Sequence, residues 1–282
     1  MEITFTKMHG LGNDYLFIEA DKYPISDPAD LSRRMSHRHL GAGADGIILI
    51  QRGEKHPFRM RIFNADGSEA ETCGNGIRCF AKYVYEEGMT QDKEFVIETL
   101  AGPNRVQLHV DEDGTVVSVR SNMGVPRFRR SEIPMVGPEG EVREEPLKLP
   151  SGEEVRITCV NMGNPHAVIF VEDAANVDPA QLGPQIERHP AFPQRTNVEF
   201  VTVKDRHTIV MRIWERGSGV TMASGSGSCG AALASMITGK TERRVEVQLV
   251  YGSLYIEWAE DGHVYQEGPA TRVYTGVWHE SV

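Results

Sequence analysis

A segment beginning at Arg61, RIFNADGSEAETCGNGIRCFAKYV, returns in altered form at Arg212 as RIWERGSGVTMASGSGSCGAALAS. At this single offset of 151 positions, Arg61, Ile62 and Phe63 meet Arg212, Ile213 and Trp214. Gly74 and Gly76 meet Gly225 and Gly227, Ala81 meets Ala232, and Cys73 meets Ser224. Repetition constrains a fold more than composition does, because each copy must build the same kind of supersecondary unit. Each copy reads as strand, loop, glycine-rich turn, helix and then strands. FRMRIFN (58–64) and HTIVMRIW (207–214) alternate as half-buried strands do. Segments 75–87 and 226–238 lack Pro, carry helix formers and begin with Gly or polar residues, where orphan N–H groups need partners. Downstream, RVQLHVDEDGTVVSVR and YGSLYIEWAEDGHVYQEG read as hairpins turning at Asp113-Gly114 and Asp261-Gly262.

A length of 282 residues exceeds the roughly 100 to 200 usual for one domain. Two similar halves are therefore expected, 1–124 and 125–270, with the boundary near Gly124-Val125-Pro126 and residues from about 271 to 282 packing back onto the first half. A pseudo-twofold arrangement would let the two helix starts meet at a cleft, where small-ligand sites are common. Duplication that serves folding alone is the competing reading. Acidic side chains outnumber basic ones 40 to 30 and no Lys/Arg block occurs, so nucleic acid and anionic membrane surfaces are poor partners. Four scattered cysteines make no disulfide framework, and MEITFTKMHG lacks the apolar core of a signal peptide, which favours a reducing cytoplasm. No apolar run approaches the roughly 20 residues a membrane helix needs.

GSGSCG (225–230) matches the dinucleotide fingerprint G-x-G-x-x-G in form only. It does not directly follow a buried strand, and the position about 20 residues on, in QLVYGS, is not acidic, so we reject a Rossmann site. An anion site suits the turns better, because helix-start N–H groups point outward and glycine allows close approach. Gly74-Asn75 and Gly225-Ser226 together could hold one carboxylate. For either turn alone, a capped helix is the simpler reading. Cys73 opens the first turn, where the helix dipole favours thiolate over thiol and so a base near neutrality. Cys79, Cys159 and Cys229 are read as core, and Cys73-x5-Cys79 is not a zinc spacing. Polar residues concentrate in HGLGNDY, FNADGS, NMGNPH, RTNVEF and WERG, each of which could be only a turn. Together they suggest recognition of several amino and carboxylate groups, with Glu215 and Arg216 suited to a second amino-acid head group. His9 and His166 stay outside the catalytic set, since a histidine beside a turn more often has a structural hydrogen bond.

MHGLGND, GADG, FNADGSEAETCGNGIRC, MGNPH, RTNVEFV, WERGSG and the second glycine-rich turn occur in the order of one family, and over nearly its whole length the chain resembles diaminopimelate epimerase. The resemblance implies an α/β (α+β) fold of two pseudo-symmetric domains, each a β-sheet wrapped around a central helix. It implies interconversion of the LL and meso forms of 2,6-diaminopimelate, on the route to lysine and peptidoglycan, without pyridoxal phosphate or metal. In the family two cysteines face opposite sides of one α-carbon; the first corresponds to Cys73. The backbone at Gly74, Asn75, Gly225 and Ser226 would hold the reacting carboxylate as charge develops. Asn13, Asn64, Asn164, Asn197, Glu215 and Arg216 carry over to the distant head group. The resemblance also makes a homodimer the expected assembly.

One position departs from the family. Where a second cysteine opens the motif A-C-G-T-G, this chain has Ala223-Ser224-Gly225-Ser226-Gly227, so Ser224 stands in the thiol's place. A hydroxyl resists deprotonation far more than a thiol and is a poor base unless another group activates it. An engineered Cys→Ser variant, a natural enzyme with asymmetric proton transfer and a diverged homologue all fit this residue. The competing activities are a racemase of another amino acid, a one-base lyase and a non-catalytic amino-acid-binding protein.

Overall fold

The computed structural model describes residues 1–280; Ser281 and Val282, the end of the segment expected to pack back, lie outside the described residues. The chain forms two compact units, Met1–Asn122 with Gly268–Val282, and Met123–Glu267. Four α-helices occur among the described residues: α1 (Pro28–Ser36), α2 (Gly74–Glu86), α3 (Pro179–Glu187) and α4 (Gly225–Ile237).

In the first unit, the strand Thr271–His279 pairs antiparallel with Glu2–Gly10, which pairs antiparallel with Asn13–Glu19. Asn13–Glu19 runs parallel to Gly46–Arg52, that strand antiparallel to Phe58–Asn64, and that one parallel to Glu94–Thr99. The hairpins to Gly102–Val110 and Val116–Asn122 complete the series. The second unit repeats the same succession of antiparallel and parallel pairs from Glu145–Lys148 to Val264–Gly268. Register repeats too. Tyr15 lies opposite Gly46 and His166 opposite Asn197, while Ile47 faces Phe63 and Val198 faces Trp214. All four pairs keep the offset of 151 (15 to 166, 46 to 197, 47 to 198, 63 to 214). Duplication is thus written into the hydrogen-bond ladder, beyond the residues that match by identity.

Each sheet curls around its own glycine-headed helix. Helix α2 packs on strands from both ends of the first series, and α4 does the same in the second. Both begin one residue before the stretches read from sequence, because Cys73 and Ser224 themselves take the extended N-cap conformation. The α2 core is large and aromatic, with Phe80, Tyr83, Phe17 and Phe58 buried around Ile77 and Val84. A second layer, with α1 on the other face, buries Ile3, Leu16, Leu31 and Met35. Helix α4 reaches the same burial with small side chains. Its Ser228 and Ser235 hydroxyls donate to the carbonyls of Ser224 and Ala231 at 2.8 Å, so neither polar group is stranded. A Cβ at Gly230 would stand 2.9 Å from the His166 side chain, and one at Gly227 would stand 2.5 Å from Ile213. Those two glycines set how closely α4 approaches its sheet.

Candidate active site

The start of α2 gathers the first constellation. The Cys73 sulfur accepts the Gly76 N–H at 3.4 Å, so the thiol serves as a helix cap, and it donates to Asn13 Oδ1 at 3.5 Å. Asn13 arrives through a two-residue turn in which Leu11 (φ 56°) and Gly12 (φ 93°) are both left-handed; a buried leucine there is strained and fixes where the next strand begins. Asn75 Nδ2 also reaches Asn13 Oδ1, at 3.3 Å. The buried Tyr15 side chain interacts with the Cys73 sulfur, and its own ionisation is pushed up by burial and then by that sulfur.

The expectation of a thiolate at Cys73 is corrected here. Protein packed around the sulfur pushes the thiol's pKa up, and the opposing Gly76, Tyr15 and Arg78 do not cancel it. Desolvation around the half-buried sulfur works against the helix start here. The helix start therefore does not by itself make Cys73 a thiolate.

The start of α4 gathers the second constellation. Ser224 Oγ accepts the Gly227 N–H at 3.2 Å and donates to Glu215 Oε2 at 3.0 Å. The Thr221 hydroxyl donates to the other oxygen of Glu215. Asn164 Nδ2 reaches Ser226 Oγ at 3.4 Å, as Asn13 meets Asn75 in the first unit. Behind it, the fully buried His166 bonds to Asn164 Oδ1 at 2.9 Å and to Glu199 Oε1 at 2.6 Å. Burial raises the pKa of Glu199, with His166 opposing.

Glu215 and Arg216, adjacent on one strand end, turn to different partners. Glu215 takes Ser224 and Thr221, whereas the Arg216 guanidinium donates to the Gln194 carbonyl at 3.1 Å. Asn197 is committed to backbone, donating to Pro165 O and accepting the Arg216 N–H, both at 2.9 Å. Asn64 donates to Ser68 Oγ at 3.0 Å within its own turn. Gly74, Asn75, Gly225 and Ser226 occupy the first turns of α2 and α4, whose N–H groups have no intrahelical acceptor. Helix α3 steadies the loop after Trp214: the buried Glu187 accepts from the Trp214 indole at 2.7 Å and from the Gly217 N–H at 3.1 Å.

Reading the sequence missed Tyr15, Asp45, Arg78, Glu187, Glu199 and the role of His166 as a bonded neighbour of Asn164. The offset of 151 could have found part of this. It pairs Asn13 with Asn164, Tyr15 with His166, Asn64 with Glu215 and Asn75 with Ser226.

Comparisons with known proteins identify the family and the fold. The family model described as diaminopimelate epimerase matches residues 5–129 and 158–273. The chain is 51% identical over 275 residues to a diaminopimelate epimerase of Moorella thermoacetica, covering 96% of this chain and 98% of that one. It is 48% identical to that of Geobacillus kaustophilus, covering 98% and 96%. Among solved structures, a Bacillus anthracis PhzF-family phenazine biosynthesis protein superposes with TM-score 0.70 at 15% identity, covering 99% of this chain and 100% of that one. A probable proline racemase of Agrobacterium radiobacter gives TM-score 0.67 at 16% identity, covering 99% and 93%. At such identities the two solved structures speak for the fold alone.

Proposed function

The chain belongs to the diaminopimelate epimerase family, a family of isomerases, and from that premise we propose that it interconverts LL- and meso-2,6-diaminopimelate by proton transfer at the α-carbon. Lysine and peptidoglycan precursor synthesis is the use such a product serves. The observation that carries the reading for this chain is the Ser224–Glu215 bond at 3.0 Å. A serine alone is a poor base, but a hydroxyl already donating to a carboxylate can take the α-proton while passing its own to Glu215. Cys73, resting as the thiol, supplies the proton that completes inversion. In the reverse direction protonated Glu215 and Ser224 return a proton, and the Cys73 thiolate accepts one. Helix-start N–H groups at Gly74, Asn75, Gly225 and Ser226 stabilise the charge that builds on the reacting carboxylate. Asn13, Asn64, Asn164, Asn197 and Arg216 serve the remaining polar groups of the substrate.

Two finer readings accompany this one. A cytoplasmic location is supported by four cysteines that form no disulfide and by the biosynthetic role; among the described residues no helix is long and apolar enough to cross a membrane. A homodimer is supported by the strand Thr271–His279, which leaves Val273, Tyr274 and Val277 exposed, and exposed apolar strands are usually covered. Sedimentation of the protein beside a Val273→Lys variant tests the dimer.

The main test is solvent deuterium exchange. In D2O, both diaminopimelate stereoisomers should gain α-deuterium with inversion, and Ser224→Cys should raise the rate. Absence of both exchange and inversion with either stereoisomer would sink the assignment.

A further inference from the structure

We propose that Asp45 and Arg78 are positioning residues which lock the Asn13 and Asn75 amides in one orientation, keep an acceptor oxygen on the Cys73 thiol, and so fix Cys73 as the resting proton donor. The inference deepens the proposed reaction and rests on Cys73 being one of its proton-transfer groups.

An amide can be turned over at no cost unless its neighbours have fixed polarity. Here both ends of the chain of bonds do. At one end the Arg78 guanidinium, which only donates, is fully buried; its Nη2 reaches Asn75 Oδ1 at 2.7 Å and its Nε reaches Pro269 O at 3.1 Å. Asn75 must therefore show Arg78 its oxygen and direct Nδ2 to Asn13 Oδ1. At the other end the Asp45 carboxylate, which only accepts, takes Asn13 Nδ2 at 2.8 Å and the Asp14 N–H at 3.1 Å. Arg38 pairs with its second oxygen at 2.8 Å. Turning over either amide would set donor against donor at Arg78 or acceptor against acceptor at Asp45. Asn13 Oδ1 is thereby held toward the Cys73 sulfur, where it can receive S–H and can offer nothing to a thiolate.

The groups facing the sulfur divide cleanly. Gly76 N–H, Asn75 N–H, Tyr15 hydroxyl and the Arg78 charge favour thiolate; burial opposes it and is the largest effect. Nearby, Asp45 raises the pKa of Tyr15, and a charge on Cys73 would raise that of Cys79 on the same helix. Asp14, beside Asp45, is neutralised by Lys7 at 2.9 Å and Arg38 at 2.8 Å.

Alkylation reads this thiol without turnover, so failure here and failure of the epimerase assignment are separable. Cys79, Cys159 and Cys229 are 0–1% exposed, so a folded molecule should take one iodoacetamide label and an unfolded one four, counted by intact mass. Following the rate against pH, Asp45→Ala should lower the Cys73 midpoint by about one pH unit, a roughly tenfold faster reaction below it, with a single label. Asp45→Asn carries no charge either but can still accept from Asn13, and should shift the midpoint less. An unmoved midpoint in singly labelled Asp45→Ala overturns the proposal. Equal shifts in the two variants assign the effect to charge alone and overturn it as well. Should Asp45→Ala take four labels, Asn13→Ala decides: a lowered midpoint supports the proposal and an unchanged one refutes it.

Discussion

The starts of α2 and α4 are built on one plan and hold opposite chemistry. In each, an N-cap side chain accepts the N–H three residues on, and an asparagine at or just before the start of a neighbouring strand bonds to the residue two past the cap. In the first unit the cap is a thiol surrounded by groups of fixed polarity, Arg78 and Asp45. In the second the cap is a hydroxyl bonded to a carboxylate, and the asparagine answers to His166, a ring that donates or accepts according to its proton. In the proposed reaction the first half-site gives a proton and the second takes one. A duplicated scaffold therefore need not duplicate protonation, because the polarity of a cap is set by whatever packs behind it.

The most severe way to break this comparison is to empty one half. Cys73→Ala should cost about 10^3-fold in epimerisation, measured by the appearance of the other stereoisomer, since it removes the thiol proposed to give the proton. Glu215→Gln should cost about 10^2-fold by leaving Ser224 without a proton acceptor; in a Ser224→Cys background the same change should cost only about 10-fold, because a thiol ionises with less help. An equal loss in both backgrounds would show that Glu215 does not act through position 224.

Stability supplies two smaller tests. Glu187→Ala strands the Trp214 indole and the Gly217 N–H, and should cost about 1–3 kcal/mol in chemical denaturation while lowering activity through the Glu215 strand end. Alkaline pH probes the cores. Burial lifts Cys79 to about 12 and lifts Cys159, in the other unit, further still. An unfolded thiol loses its proton near about 8.5, so above that pH the folded chain binds the extra proton and stability falls, by about 1.4 kcal/mol per pH unit for each such thiol. Below that pH the contribution is complete. Cys79→Ala and Cys159→Ala should each flatten the fall in melting temperature between pH 9 and 10, and by similar amounts if the two cores behave alike.

Much of this was legible in the chain itself. The repeat predicted two helices within one residue of where they start, and glycine-rich turns located both caps. What escaped were bonds between residues far apart in sequence. Tyr15 meets Cys73 and Glu199 meets His166 only once strands lie side by side, and no local pattern announces either pairing. The electrostatic error at Cys73 has the same root: a helix start is visible in sequence, whereas the protein that later surrounds its sulfur is not.

The strand Thr271–His279 lies beside Glu2–Gly10, so the first unit is assembled from both extremes of the chain while Met123–Glu267 is continuous. During synthesis, the continuous unit has all of its strands before the last strand of the other has been made. The Cys73 half should then wait with one flank of its sheet unpaired while the Ser224 half matures first. A nascent chain stalled after Glu267 should carry a protease-resistant second unit and a first unit still open to digestion.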